Sequence, residues 1–239
     1  MASVRRPALF LDLDGTLLDI APTAAEVRVS PALVPALARL AGGLDDALAI
    51  LSGRTLAEID TPLAPLVLPA AAEHGATLRL PGGACEEIAM PPPGDWITLL
   101  GAFAASRPGV RIEVKHHGLV VHFRQAPDHE AATATFLAGL LAAGDRGFEI
   151  LPARRAFELR PRGVGKGNAL RRLMETAPFA GRVPVFVGDD VTDEEAIAAA
   201  HALGGRGLHV GRDFGASPAA VRAWVARAAE SPHILLGDG

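Results

Sequence analysis

Two carboxylates one residue apart, Asp12 and Asp14, close the apolar run Ala8-Leu9-Phe10-Leu11 and are followed by Gly15-Thr16. Burying two unpaired carboxylates is costly. A hard divalent cation relieves that cost, because magnesium takes oxygen ligands from carboxylates, backbone carbonyls and phosphate. Asp, Gly and Thr are also common turn residues, so this string alone leaves an ordinary strand-to-turn junction open. A second apolar run, residues 183–187, leads into Gly188-Asp189-Asp190 and then Asp193-Glu194-Glu195. Two strand ends loaded with acids point to one metal site. The acids after Asp190 also suit the first turn of a helix, where they meet the positive end of its dipole. Glu194 and Glu195 are read as structural, and Asp193 is kept as a candidate ligand.

Between the acidic clusters come Leu51-Ser52-Gly53-Arg54, after a third apolar run, and Gly163-Val164-Gly165-Lys166-Gly167-Asn168, before a helical pattern. A hydroxyl and amides at a strand end donate to phosphate oxygens, and a lysine at a helix N-terminus adds a full positive charge. Taken singly, Ser52-Gly53 is a common turn and a lysine a common surface residue. Their order beside the acids favours a phosphoryl-binding role for both.

The elements that must position these groups are legible in outline. Residues 8–13, 47–51, 66–71 and 183–187 are apolar runs of strand length, suited to strands buried on both faces. Helical patterns lie between them. Ser30-Pro31 and Ser217-Pro218 each offer an N-cap followed by a first-turn proline, and Thr55 to Glu58 and Thr192 to Glu195 read as capping boxes. This alternation predicts a Rossmann-like, doubly wound α/β core with a parallel sheet, whose functional groups sit at the carboxyl ends of the strands.

The middle of the chain reads differently. Residues 110–116 and 119–124 alternate apolar and polar around His117-Gly118, which predicts an antiparallel hairpin. With that loop, His116 faces Leu119 and Glu113 faces His122, so Arg111, Glu113, Lys115, His122 and Arg124 share one face. A helix near residues 128–143 and strands near 148–151 and 156–160 complete an α+β insert over residues 79–162, with residues 1–78 and 163–239 forming the core. Pro91-Pro92-Pro93 is a turn or linker inside the insert, and Gly82-Gly83 and residues 163–167 flank it as expected hinges.

In order, Asp12-Leu13-Asp14-Gly15-Thr16, Ser52, Lys166 and Gly188-Asp189-Asp190 resemble the four motifs of the haloacid dehalogenase (HAD) superfamily. The resemblance implies that Asp12 attacks phosphorus and that Asp14 protonates the leaving oxygen and later activates water. It also implies that Asp12, the Asp14 carbonyl and Asp189 hold magnesium, and that Ser52 and Lys166 stabilise the transferring group. Asp190 is adjacent to a ligand and is a candidate to orient Lys166; spacing assigns neither its role nor that of Asp193.

Further strings, Glu73-His74-Gly75-Ala76, Ile112-Glu113-Val114-Lys115, His122-Phe123-Arg124 and Glu158-Leu159-Arg160-Pro161, resemble the trehalose-6-phosphate phosphatases of that superfamily over nearly the whole chain. They imply an inserted C2-type α+β cap and a sugar met by Glu73, His74, Glu113, Lys115, His122, Arg124 and Glu158, with Arg54 also assigned to substrate. The products would be trehalose and phosphate, and a separate trehalose-6-phosphate synthase would supply the substrate. Phosphatases acting on sucrose phosphate or a hexose phosphate would keep the same four motifs.

Other classes fit less well. The net charge is -4 with basic residues scattered, whereas nucleic-acid surfaces cluster Lys and Arg. Cys85 is the single cysteine, so neither an internal disulfide nor a cysteine-rich zinc site is expected. The apolar run before Asp12 is too short and too acidic for a leader, and no stretch of about 18 uncharged apolar residues occurs. A cytoplasmic monomer is expected. Gly167 follows Lys166 where a Walker loop needs Ser or Thr, and a receiver domain would lack the polar insert.

Overall fold

The computed structural model describes residues 6–21, 26–144, 146–153 and 155–237. In chain order the larger elements are β1 (Pro7–Leu11), α1 (Leu33–Gly43), β2 (Leu48–Leu51), α2 (Leu56–Leu63), β3 (Ala70–Ala72), β4 (Thr77–Arg79), β5 (Cys85–Glu87) and α3 (Gly94–Ala105). They continue with β6 (Arg111–Val114), β7 (Leu119–His122), α4 (Glu130–Ala142), β8 (Phe148–Ala153), β9 (Ala156–Pro161) and α5 (Lys166–Met174). Last come β10 (Val183–Gly188), α6 (Glu194–Ala202), β11 (Arg206–His209), α7 (Val210–Asp213) and α8 (Pro218–Glu230). The chain forms two compact units, Met1–Ile88 with Gly165–Gly239, and Ala89–Val164.

The first unit is built on a seven-stranded sheet in the order β11-β10-β1-β2-β3-β4-β5. β11 through β3 run parallel, and β4 and β5 extend the edge antiparallel. This is the expected doubly wound α/β sheet. Its central strands β1 and β10 are buried along their whole length, as a parallel sheet covered on both faces requires. In α1 the buried residues Leu33, Ala36, Leu37, Leu40 and Ala41 recur at helical spacing and form its core face. Phe10 stacks on Phe179 with ring centroids 5.2 Å apart.

Strand β4 spans the expected boundary at residue 78 and β5 lies beyond it, yet both belong to this sheet, so the units divide about ten residues later in the chain, after Ile88. Gly82 and Gly83, with φ of 87° and 90°, form the tight turn joining these strands. That pair is a hairpin turn inside the first unit, not a link between units.

The second unit is a four-stranded antiparallel sheet, β6-β7-β9-β8. One face carries Leu119, Val121, Phe148 and Leu159 against Trp96, Leu100 and Phe103 of α3 and Leu137 and Leu140 of α4. The α3 helix has no clear amphipathic signal in the sequence, because apolar residues surround it.

The hairpin register differs from expectation. Val114 pairs with Leu119, Glu113 with Val120, and Arg111 with His122. The loop spans residues 115–118, closed by Lys115 N donating to Gly118 O at 2.9 Å. A two-residue loop needs positive φ at its centre, and neither His117 nor Gly118 adopts it. The slip is by two residues, so Arg111, Glu113 and His122 keep a common face. Arg124 instead lies exposed in the turn after β7.

Candidate active site

Asp12 continues the line of β1, its amide donating to Val187 O of β10 at 2.9 Å. The chain then turns sharply through Gly15, at φ 76°, where a Cβ would collide with the Asp189 carboxylate. This close approach explains the glycine after Asp14 and brings the ends of β1 and β10 together. Thr16 Oγ1 donates to Asp189 Oδ1 at 3.4 Å, a contact between distant residues that spacing does not reveal.

Lys166 opens α5 and is buried beneath these strand ends. Its Nζ lies 2.6 Å from Asp12 Oδ1 and 2.6 Å from Asp193 Oδ1. Asp193 is fully buried, and its Oδ2 accepts from the amides of Asp189 and Asp190 at 2.9 and 3.0 Å. The carboxylate that orients Lys166 is therefore Asp193. Asp190, the sequence candidate for that task, caps the following 3-10 turn through Val191 N, 2.7 Å from its Oδ1.

The capping box here is Asp190 to Asp193, not Thr192 to Glu195, and α6 begins at Glu194 without a side-chain cap. The inward turn of Asp193 toward Lys166 shifts the box. Ser30-Pro31 likewise fails to cap α1, which starts at Leu33 after a turn closed by Leu33 N to Ser30 O. Thr55 to Glu58 and Ser217-Pro218 form caps where expected.

Ser52 follows β2, buried, with its amide on Ala71 O at 2.9 Å and its Oγ accepting from Arg54 N at 3.2 Å. Arg54 Nε and NH2 each lie 2.6 Å from a different oxygen of Asp14. This two-pronged pair joins residues 40 apart in the chain, and the sequence carried no signal for it. Glu73 and His74 form a turn with positive φ, 47° and 60°. Their amides donate to Arg54 O and Ser52 O, both at 2.9 Å. The His74 ring lies over Gly53, where a Cβ would come within 2.6 Å of it. This turn braces the loop that carries Ser52 and Arg54.

The charge balance of the centre is negative. Burial pushes the Asp12 carboxyl up, to about 7, against the pull of Lys166 and with the push of Asp193. Burial opposes the charge on Lys166, but Asp12 and Asp193 outweigh it and hold the ammonium above its ordinary range. Burial, then Asp193 and Asp190, raise Asp189. Burial leads the rise at Asp12 and Asp189, and three carboxylates around one ammonium add to it and hold Lys166 charged. Oxygens of Asp12, Asp189 and Asp193 all lie within 4.8 Å of one another. This hard, surplus-negative donor set suits a divalent cation such as magnesium. Asp193 already has both oxygens engaged, which leaves Asp12 and Asp189 as the carboxylates best disposed to hold the ion.

The remaining sequence candidates lie in the second unit. His122 Nε2 and Glu113 Oε2 are 2.8 Å apart, and Lys115 Nζ donates to Glu158 Oε1 at 3.2 Å. The sheet register puts Glu113, Val120 and Glu158 side by side on one face. The structure thus gathers Glu113, Lys115, His122 and Glu158 within this unit, and Asp12, Asp14, Ser52, Arg54, Glu73, His74, Lys166, Asp189 and Asp193 within the other.

The profile of the trehalose-phosphatase family matches residues 10–220. The chain belongs to this family. It is 37% identical over 206 residues to a trehalose-6-phosphate phosphatase of Escherichia coli, covering 85% of this chain and 77% of that protein. It is also 37% identical over 213 residues to a probable trehalose-phosphate phosphatase of Sinorhizobium fredii, covering 89% and 80%. The C-terminal domain of the trehalose-6-phosphate phosphatase of C. albicans superposes with a TM-score of 0.75 over 95% of this chain and 92% of that one, at 22% identity. The trehalose-phosphatase fold of the HAD superfamily is therefore the fold of this chain. Among the described residues no helix is long and apolar enough to cross a membrane.

Proposed function

We propose that the chain hydrolyses trehalose 6-phosphate to trehalose and inorganic phosphate through an aspartyl phosphate on Asp12. The observation that carries this reading is the buried Asp12 at the end of β1, paired with Lys166 Nζ at 2.6 Å and standing in a family whose members are named for this substrate. A carboxylate nucleophile divides a very slow monoester hydrolysis into two easier displacements.

In the first displacement an Asp12 oxygen forms a bond to phosphorus as the bond from phosphorus to the sugar oxygen breaks, and Asp14 gives that oxygen a proton. In the second, water transfers a proton to Asp14 and bonds to phosphorus while the bond to Asp12 breaks. Lys166 and the Ser52 loop offset the charge on the phosphoryl oxygens. Asp12, Asp189 and the Asp14 carbonyl would hold magnesium, which supplies Lewis-acid charge stabilisation when bound. Asp193 keeps Lys166 and the 188–190 loop in place.

The unit containing Asp12 is proposed as the catalytic core and the other as the cap, with Glu113, Lys115, His122, Arg124 and Glu158 recognising sugar hydroxyls. Their donors and acceptors suit a polyhydroxylated ligand. Glu73 and His74 act from the core.

The test is phosphate release from trehalose 6-phosphate beside sucrose, glucose and mannose phosphates, with and without magnesium. Selective, magnesium-dependent release that Asp12→Asn abolishes is expected. Equal release from the other sugars would reject the trehalose assignment, and release unaffected by Asp12→Asn would reject the mechanism.

A further inference from the structure

We infer that Arg54 is the positioning residue for Asp14, its guanidinium fork holding that carboxylate in the orientation from which it exchanges protons, rather than a contact to the phosphoryl group or the sugar. The inference rests on the aspartyl-phosphate reading above. Both carboxylate oxygens of Asp14 are engaged, by Nε and NH2 of Arg54 at 2.6 Å each. A parallel two-bond pair fixes the plane as well as the place of a carboxylate, which a single bond or a lysine does not. Gly15 leaves Asp14 on a sharp turn, so orientation must come from a partner outside that turn.

Arg54 is itself held along its length. Its amide donates to Ser52 Oγ at 3.2 Å, its carbonyl accepts from Glu73 N at 2.9 Å, and its NH1 donates to Glu58 O at 3.3 Å. Glu58 sits in the first turn of α2, closed by the Thr55 capping box. A helix start, a strand end and the 73–75 turn thus converge on one side chain. Attraction to Asp14 holds the guanidinium charge more firmly than usual, chiefly through the hydrogen bonds and despite partial burial. With a fork committed to Asp14, Arg54 has fewer donors left for a ligand.

Asp14 acts in both displacements, giving a proton to the sugar oxygen and taking one from water, but a good leaving group such as p-nitrophenolate departs without a proton. Arg54→Gln and Arg54→Lys are therefore compared with the parent on trehalose 6-phosphate and p-nitrophenyl phosphate by rapid mixing with magnesium. Turnover of trehalose 6-phosphate is expected to fall by about a hundredfold, the lower range for losing a general acid-base group, with KM changed less than about threefold. On p-nitrophenyl phosphate the first turnover keeps its rate while later ones slow, so a burst near one p-nitrophenolate per enzyme develops. Arg54→Lys, which retains the charge but not the fork, shows the same burst.

A raised KM on both substrates with no burst would overturn the inference in favour of direct contact with the phosphoryl group. Parent-like kinetics of Arg54→Lys would overturn it too, since charge alone would then suffice. Failure to trap a phosphoenzyme on Asp12 in the parent chain would instead remove the aspartyl-phosphate reading, and this role with it.

Discussion

At the scale of single residues, Lys166 balances a centre that is otherwise too negative to bury. Asp12 and Asp193 both lie 2.6 Å from its Nζ, and the three side chains are almost wholly enclosed. Removing one partner of a buried ion cluster leaves uncompensated charge, which costs about 3 kcal/mol or more. Lys166→Met is expected to lower unfolding free energy in urea by about that amount, and Lys166→Met/Asp193→Asn to recover part of it without recovering activity. A single variant as stable as the parent would show that the surplus of carboxylates does not strain the fold. Asp12, Asp14, Ser52 and Lys166 were legible as candidates because residue types that are individually common at turns and helix starts occur here together, in order, at the ends of apolar runs. The division between Asp190 and Asp193 was not, because both are acids within one turn and only the inward direction of Asp193 separates them.

At the scale of elements, local chemistry decided some boundaries and tertiary contacts the others. Thr55 accepts from Glu58 N while Glu58 accepts from Thr55 N, so this helix start needs nothing beyond its own four residues and was readable in advance. Thr55→Ala is expected to cost about 1 kcal/mol, seen as a lower thermal midpoint. Because Glu58 O also meets Arg54, the same variant should lower turnover of trehalose 6-phosphate more than KM; unchanged turnover would uncouple the helix start from the site. The box expected at Thr192 failed for the opposite reason, since Asp193 is drawn to Lys166 from another helix. The β6–β7 register also exceeded what alternation can specify. A slip by two residues preserves the face of each paired residue, so the pattern fixed the common face of Arg111, Glu113 and His122 but left open the loop length and the end of β7, beyond which Arg124 lies.

At the scale of the whole molecule, the candidate recognition residues other than Glu73 and His74 fall in a different compact unit from the chemistry. If Glu113, Lys115, His122 and Glu158 recognise the sugar, their loss should matter only for substrates that carry one. Lys115→Met, which breaks the pair with Glu158, is expected to raise KM for trehalose 6-phosphate about tenfold, or about 1.4 kcal/mol, leaving p-nitrophenyl phosphate hydrolysis unchanged. Equal effects on both substrates would place Lys115 in the phosphoryl-transfer machinery instead. The sequence by itself determined the doubly wound class, the polar hairpin face and the acids and lysine of the centre, because these depend on local periodicity and on residue types at element ends. Only the tertiary structure decided that β4 and β5 extend the large sheet, that Asp193 orients Lys166 and that Arg54 grips Asp14. Those features are contacts between segments far apart in the chain, and side-chain direction across a packed core is not encoded in the spacing of any one segment.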